Sequence, residues 1–588
     1  MRVDRIVLRD SSAGRWLCFD HPVDVLATRR PSQVLATLEE TERRVECERL
    51  FAAGFLTYEA AQGFDPSFRT HRAGTLPLIC FGLYREAWYL EALPKTTPRP
   101  VAAWRMTESR EDYFRKIQLI QNQIREGHTY QINYTTRQVA SGISDPFSLF
   151  AGISAQAPYA AYVDGGDYAI LCASPELFFR LDHGLVRCQP MKGTTSRGMT
   201  LAQDEELGNW LQRSEKNRAE NVMITDMVRN DLGRIAKPGS VGVSELFAVT
   251  RYPTVWQMTS TVEARTEAPV SGVLRALFPS ASVTGAPKVS SMRLIDTLER
   301  FPREVYTGTI GYLTPDRRAQ FNVAIRTAVV DKRTGSAFYG VGSGIVADSE
   351  PGDEYTECLT KSKILKNPEI PLDFALLETL LWTPDRGIFL LDYHLNRMAD
   401  SARYFGFSFD RGAAAQALDS LASTFGAHRY RIRLLQHRNG LPTLEHEVIE
   451  EPSSSAYPVI ALAAQPIDPD NPFLYHKTTR RGVYERAFRS VAGCDDVLLW
   501  NSNGFVTETS IANVVATIDG QRVTPPVTCG LLGGTYRQWL LDRGEIRERE
   551  IHIDALSRVD EFTLINSVRG EIPARLRALR IPAAVAGR

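Results

Sequence analysis

At 588 residues the chain is too long for one hydrophobic core, so roughly two to four domains are expected. Lys plus Arg and Asp plus Glu each total 69, and the resulting net charge of zero argues against a nucleic-acid or polyanion binder. Hydrophobic content of 43% suits a soluble globular protein, no apolar run approaches the ~18 residues that span a bilayer, and the eight scattered cysteines form no Cys-x-x-Cys pair that would indicate zinc or a disulfide framework.

Taken in chain order, Met1-Arg2-Val3-Asp4-Arg5 lacks the apolar core of a signal peptide, so a cytoplasmic location without membrane attachment is expected. Further on, Phe178, Arg180, Leu185, Arg187 and Cys188 form two short runs of β-favouring residues around the turn signal Asp182-His183-Gly184. Such a hairpin can carry Glu176, in Ser174-Pro175-Glu176, and Lys192, in Pro190-Met191-Lys192-Gly193-Thr194, to one cavity. A lysine among apolar walls and other cations loses its proton readily and becomes a nucleophile. By itself Lys192 also reads as a surface lysine on a loop.

Residues 205–236 show helical spacing of Leu207, Trp210, Leu211, Val222, Met227, Val228, Leu232 and Ile235, which predicts one long helix. Ser282-Val283-Thr284-Gly285-Ala286-Pro287-Lys288 opens a helix over 289–298, whose free N–H groups favour an anion. The strand Phe321 to Thr327 is apolar except near Arg326, a residue suited to bidentate carboxylate recognition. Gly340 to Val346 lets backbone amides approach a ligand closely. A helix over 353–365 puts Glu354, Glu357 and Lys361 at i, i+3 and i+7, on one face. That spacing fits a surface ion pair between Glu357 and Lys361. It equally fits a cavity where Glu357 meets Glu220 and the carboxylates hold Mg²⁺.

A seam follows at Lys366-Asn367-Pro368-Glu369-Ile370-Pro371, where two prolines end the helical pattern. Residues 1–366 form one α+β domain in this reading, 367–371 the linker, and 372–588 a second α/β or α+β domain whose two lobes join near Glu451-Pro452-Ser453-Ser454-Ser455.

Residues of about 105–366 resemble the chorismate-binding family, which includes anthranilate, aminodeoxychorismate, isochorismate and salicylate synthases. The resemblance rests on Ser174-Pro175-Glu176, Pro190 to Thr194, Glu220 to Leu232, Thr284 to Lys288, Ile325-Arg326-Thr327 and Gly342 to Lys361. It implies a large β-sheet sandwich with helices, chorismate as substrate, and Mg²⁺ held by Glu220 and Glu357 with Glu354 beside them. It further implies that Thr194, Thr284, Gly285, Tyr312, Arg326, Gly342, Gly344 and Lys361 bind the substrate. In this family a lysine at position 192 marks the aminodeoxychorismate synthases, whereas anthranilate synthases carry alanine. Lys192 would then add to C2 of chorismate as the 4-hydroxyl leaves, with Glu176 as acid and base. Two positions depart from the family pattern: Gln257 stands where a histidine is common, and Asn217 where an acid is common. The first hundred residues show little of a regulatory tryptophan site. No cysteine stands in a Gly-x-Cys-x-Gly elbow, so a separate glutamine amidotransferase subunit is expected to supply ammonia.

In the second part, Lys477 is read at the end of a strand, Glu508 between a turn and a strand, Gly533-Gly534-Thr535-Tyr536-Arg537 at a helix start, and Arg397 on an earlier helix. In this order they resemble the fold-type IV pyridoxal-phosphate family, over about 372–580. The resemblance makes Lys477 the Schiff-base lysine and Glu508 the partner of the pyridine nitrogen. Arg397, the Thr535 and Tyr536 amides and Ser567 would hold the phosphate of pyridoxal 5'-phosphate. Members of that family are commonly dimers, so a homodimer through the C-terminal domain is expected. Together the two resemblances imply synthesis of 4-aminobenzoate, a folate precursor, in two steps on one chain. The alternatives are an anthranilate-type synthase fused to an aminotransferase-like domain, or a non-catalytic scaffold for an amidotransferase.

Overall fold

The apolar alternation of the first part of the chain becomes two antiparallel ten-stranded sheets. A computed structural model of the chain describes residues 3–94, 96, 103–155, 157–252, 255–366, 374–450 and 457–577. The expected linker at 367–371 and the stretch 451–455 lie outside these residues. One hydrophobic cluster draws Ile132, Tyr134, Tyr339 and Val341 from the first sheet and Phe179, Val186, Val262 and Phe321 from the second, so the two sheets share a core. Apolar side chains on alternate residues of each strand supply it.

The chain divides into two compact units. One contains Met1–Ser196 and Gly208–Ile370; the other contains Arg197–Leu207 and Pro371–Arg588. The sequence had placed 197–207 within the first domain. In the structure this segment belongs to the second unit, where the buried Arg197 donates from Nε to Asp204 at 2.6 Å and from Nη2 to the Tyr404 carbonyl at 3.0 Å. The second unit has a four-stranded antiparallel sheet and an eight-stranded sheet with both parallel and antiparallel pairs.

The helix expected over 205–236 is two helices, Leu201–Arg213 and Glu215–Gly233. Ser214 separates them: its hydroxyl accepts the Asn217 N–H and so caps the second. The helix expected over 353–365 likewise ends as Pro351–Lys361, followed by a short Lys363–Lys366 turn.

Candidate active sites

The predicted hairpin is present: Leu177–Asp182 pairs with Leu185–Cys188, and His183 and Gly184 take φ of 46° and 79°. Two successive positive φ angles give the tight turn whose twist matches that of the strands. The next strand, Met191–Ser196, pairs with Val255–Arg265 but shifts register between Met191 and Thr194. Lys192 and Gly193 therefore occupy a bulge, and Gly193 has φ 94°, a conformation that only glycine adopts readily. A bulge re-aims the side chain it carries. Here it places Lys192 so close to the Gly344 backbone that a methyl group on Gly344 would meet the Lys192 Nζ at 2.6 Å.

Gln257, which replaces the family histidine, clamps this bulge. Its Nε2 donates to the Gly193 carbonyl at 2.9 Å, and its Oε1 accepts the Thr194 hydroxyl at 3.0 Å. Asn221 donates to the Lys192 carbonyl at 3.3 Å. Asn217, the other departure, bonds the capping Ser214 hydroxyl at 2.8 Å. Gln257 thus holds backbone, whereas Asn217 holds the side chain of the helix cap.

Burial pushes the Lys192 ammonium down, with Lys361 adding to the effect against the opposing carboxylates of Glu220, Glu357 and Glu176. Burial also raises Glu176 to about 7, against the Ser282 hydroxyl that donates to it at 2.6 Å and the charge of Lys192. Burial raises Glu220 and Glu354 as well. Burial would do the same to Glu357, but Lys361, 2.7 Å away, holds its carboxyl below the usual range. Lys361 also donates to the Gly342 carbonyl at 2.8 Å. The ion pair read from the helix spacing is therefore made, with Lys361 34% and Glu357 45% exposed. Among the described residues no three His, Cys, Asp or Glu side chains are grouped closely enough to hold a metal ion. Glu220 and Glu357 nonetheless interact, and one or two carboxylates with substrate oxygens satisfy Mg²⁺. The donor set fits that ion if Lys361 releases Glu357.

Arg326 is half-buried near Tyr252 and Tyr339, with φ 50°, a strained conformation of the kind concentrated at functional sites. Tyr312 is a correction. It packs in the aromatic core 6.3 Å from the Phe19 ring, and its charged neighbours are Asp10, Arg180 and Arg318 rather than site residues. Its place in a strand of the second sheet points it into that core. Gly285, with φ 152°, pairs with Ile132, while the buried Thr284 bonds the Ser280 carbonyl. The two-residue strand Gly285–Ala286 pairs antiparallel beside the strand Gln131–Ala140. The sequence reading missed Gln131. Its buried amide has no hydrogen-bond partner at either atom, and its Nε2 would meet a methyl on Gly344 at 2.5 Å, beside Lys192. A glutamine at the start of a strand that otherwise reads as core was the available signal.

In the second unit Lys477 follows the short turn Pro472–Leu474 rather than ending a strand. Its carbonyl accepts the Leu377 N–H at 3.0 Å, which tethers it to the first strand of the four-stranded sheet. Burial lowers Lys477 to about 8, helped by Arg397 and opposed by Glu378. Glu508 lies on the strand Val506–Thr509, raised to about 7 by burial. Three donors fix its carboxylate: the Tyr484 hydroxyl at 2.8 Å, the Leu532 N–H at 3.1 Å and the Asn513 amide at 3.2 Å. Thr535 and Tyr536 begin the helix Thr535–Asp542, so their amides lack partners within it. Ser567 is buried, its hydroxyl 3.5 Å from the Thr379 carbonyl.

Glu378 went unnoticed in the sequence, where a lone acid in a strand reads as a polar face. It accepts Arg397 Nε at 2.8 Å, Arg397 Nη2 at 2.6 Å and His394 Nδ1 at 2.6 Å. Burial would raise its carboxyl, yet Arg397 and His394 hold it at about 2. Arg397 spends a third N–H on the Gly533 carbonyl at 3.1 Å, so two of a guanidinium's five donors remain for an anion. A half-buried lysine, a fixed buried carboxylate, a guanidinium and a helix start form a donor set that fits pyridoxal phosphate.

Residues 4–367 match the family model of chorismate binding enzymes, and residues 375–576 that of amino-transferase class IV. The chain is 36% identical over 356 residues to an aminodeoxychorismate synthase of Streptomyces griseus, which covers 60% of this chain and 44% of that protein. It is 41% identical over 264 residues to aminodeoxychorismate synthase component 1 of Klebsiella aerogenes, covering 44% of this chain and 58% of that one. The chain thus spans about half the length of these curated relatives. The solved anthranilate synthase component I of Streptococcus pneumoniae shares the fold, with a TM-score of 0.51 and 24% identity over 62% of this chain and 92% of that one. Since the first match takes in more than half of the residues, the chain belongs to the family of chorismate binding enzymes.

Proposed function

We propose that the chain makes 4-aminobenzoate from chorismate and ammonia in two steps. The observation that carries this reading is the pairing of the half-buried Lys192, its ammonium pushed down, with the buried Glu176, its carboxyl pushed up to about 7. In the first step Lys192 Nζ adds to C2 of chorismate, and Glu176 protonates the departing 4-hydroxyl, which leaves as water. Ammonia then adds at C4 and Lys192 is expelled as the free amine, giving 4-amino-4-deoxychorismate. Arg326 and Lys361 pair with the substrate carboxylates, and the Gly342–Gly344 backbone lets them approach. Mg²⁺ would be held by Glu220 and Glu357, with Glu354 alongside, and would neutralise a substrate carboxylate.

In the second step Lys477 takes the proton from C4, and pyruvate leaves as the ring becomes aromatic. Pyridoxal phosphate, when bound, supplies the electron sink for that elimination. Glu508 would hold a proton on the pyridine nitrogen, and Arg397, Ser567 and the Thr535 and Tyr536 amides would hold the phosphate. An elimination fits better than an amino transfer because the first product carries the amine and the leaving pyruvate on one ring. A separate glutaminase subunit supplies the ammonia, as the wording "component 1" in a relative's name suggests. A cytoplasmic location is part of the proposal. Among the described residues no helix is long and apolar enough to cross a membrane. A homodimer through the C-terminal unit completes the proposal.

Purified protein given chorismate, Mg²⁺, pyridoxal phosphate and an ammonium salt should release 4-aminobenzoate and pyruvate, identified by chromatography. Release of 2-aminobenzoate, or of no aromatic amine, would overturn the reading.

A further inference from the structure

A cavity of about 420 Å³ opens on the first unit, a size that takes small molecules. Phe64, Phe68 and Phe278 are buried and make its floor, whereas Arg234 and Arg275 are exposed and stand at its rim. The two arginines come from separate elements, the C-cap of Glu215–Gly233 and the helix Val270–Leu277. Two of the three acids in the lining are already paired, Asp226 with Arg229 at 2.8 Å and Asp231 with Lys288 at 2.9 Å. The third, Asp65, is held below the usual carboxylate range by the Ser67 hydroxyl and, more weakly, by the charges of Arg234 and Arg275. Among the described residues neither guanidinium makes a side-chain hydrogen bond. Two cations against one acid therefore remain at the rim, one positive charge in excess above an aromatic floor.

Resting on the function proposed above, we propose that this cavity binds an aromatic monocarboxylate, the chain's own product 4-aminobenzoate, and that the bound product slows the first reaction. A guanidinium takes a carboxylate through two parallel N–H donors, and Arg234 and Arg275 supply that grip at the rim. The ring lies on Phe64 and Phe278, in the offset or edge-on arrangements that aromatic pairs favour. The para amine donates to Asp226 or Asn230, which line the same cavity. Chorismate, a dianion without an aromatic ring, matches neither the single excess charge nor the floor. The floor in turn leads to the first site. Phe278 packs edge to face against Phe64 at 5.6 Å and against Phe178 at 6.2 Å. Phe178 stands two residues after Glu176, and Phe278 four residues before Ser282, whose hydroxyl donates to Glu176 at 2.6 Å. A ring seated on Phe64 and Phe278 thus presses on both segments that hold Glu176, and it disturbs the acid while leaving the groups that bind chorismate in place.

The test is steady-state consumption of chorismate by the full chain with Mg²⁺ and ammonium chloride, in the wild type and in a variant carrying Arg234→Gln and Arg275→Gln. Added 4-aminobenzoate should lower kcat of the wild type with KM for chorismate unchanged, and 4-aminobenzamide, its uncharged analogue, should not. The variant should keep the uninhibited kcat, which reports that it is folded, and should need at least about tenfold more 4-aminobenzoate for the same inhibition. Inhibition competitive with chorismate, equal inhibition of both proteins, or none at all overturns the site. A wild type that makes no amino product from chorismate and ammonium overturns the proposed function instead. Calorimetric titration of both proteins with 4-aminobenzoate then decides the site alone: heat of binding in the wild type and its loss in the variant uphold it, and the same heat in both overturns it.

Discussion

Glu176 and Lys192 are coupled through one buried cavity, so their protons belong to the pair. The sign of the pH dependence follows from the acid. A carboxyl raised to about 7 keeps its proton below that pH and loses it above. In the proposed mechanism Glu176 gives its proton to the 4-hydroxyl, so kcat/KM for chorismate should fall as pH rises through about 7. A Glu176→Gln variant should be about 10²–10⁴-fold slower and should lack that falling limb. A wild-type profile flat from pH 6 to 9 would remove Glu176 from the acid role. The motif around Lys192 was readable because a lysine between proline and Gly-Thr is unusual. Gln131 and Glu378 were not, because an uncharged amide and a lone acid gain meaning only from what packs against them.

At the level of elements, the bulge at Lys192 decides where the nucleophile points. A regular strand alternates its side chains between faces, and the extra residue resets that alternation. Gly193 has φ 94°, and a methyl there would also meet Asn217 at 3.1 Å and the Met258 Cβ at 3.2 Å. Gly193→Ala should therefore cost about 1–3 kcal/mol of backbone strain and re-aim Lys192. The expected result is a modestly lower melting temperature with a much larger loss of kcat in the chorismate reaction. A loss of stability with kcat intact would show that the bulge does not aim the lysine. The hairpin was legible from Asp182-His183-Gly184, whereas the bulge was not, since register depends on the partner strand Val255–Arg265. The break at Ser214 was hidden for a related reason: apolar spacing runs through it, and only the cap geometry separates the two helices.

For the whole molecule, the segment Arg197–Leu207 matters most, because it lies inside the chorismate-binding match yet packs in the second unit. Its Arg197 stands over the Tyr404 ring at 4.4 Å, and Tyr404 lies 4.3 Å from the His476 ring, next to Lys477. Arg197→Met would leave Asp204 buried without this cation, a change that costs about 3–5 kcal/mol. The variant should lose the visible absorbance of bound pyridoxal phosphate at a lower temperature than the wild type. An unchanged melt would show that the segment does not support that site. The sequence by itself determined the two-part organisation and singled out Lys192 and Lys477, because each rests on local residue chemistry in a fixed order. Only the tertiary structure decided that Gln257 holds the bulge backbone and Asn217 the capping Ser214, that Tyr312 belongs to the core, and that 197–207 packs in the second unit. Those outcomes depend on contacts between residues far apart in the chain, and local spacing carries no information about which distant side chain fills a given space.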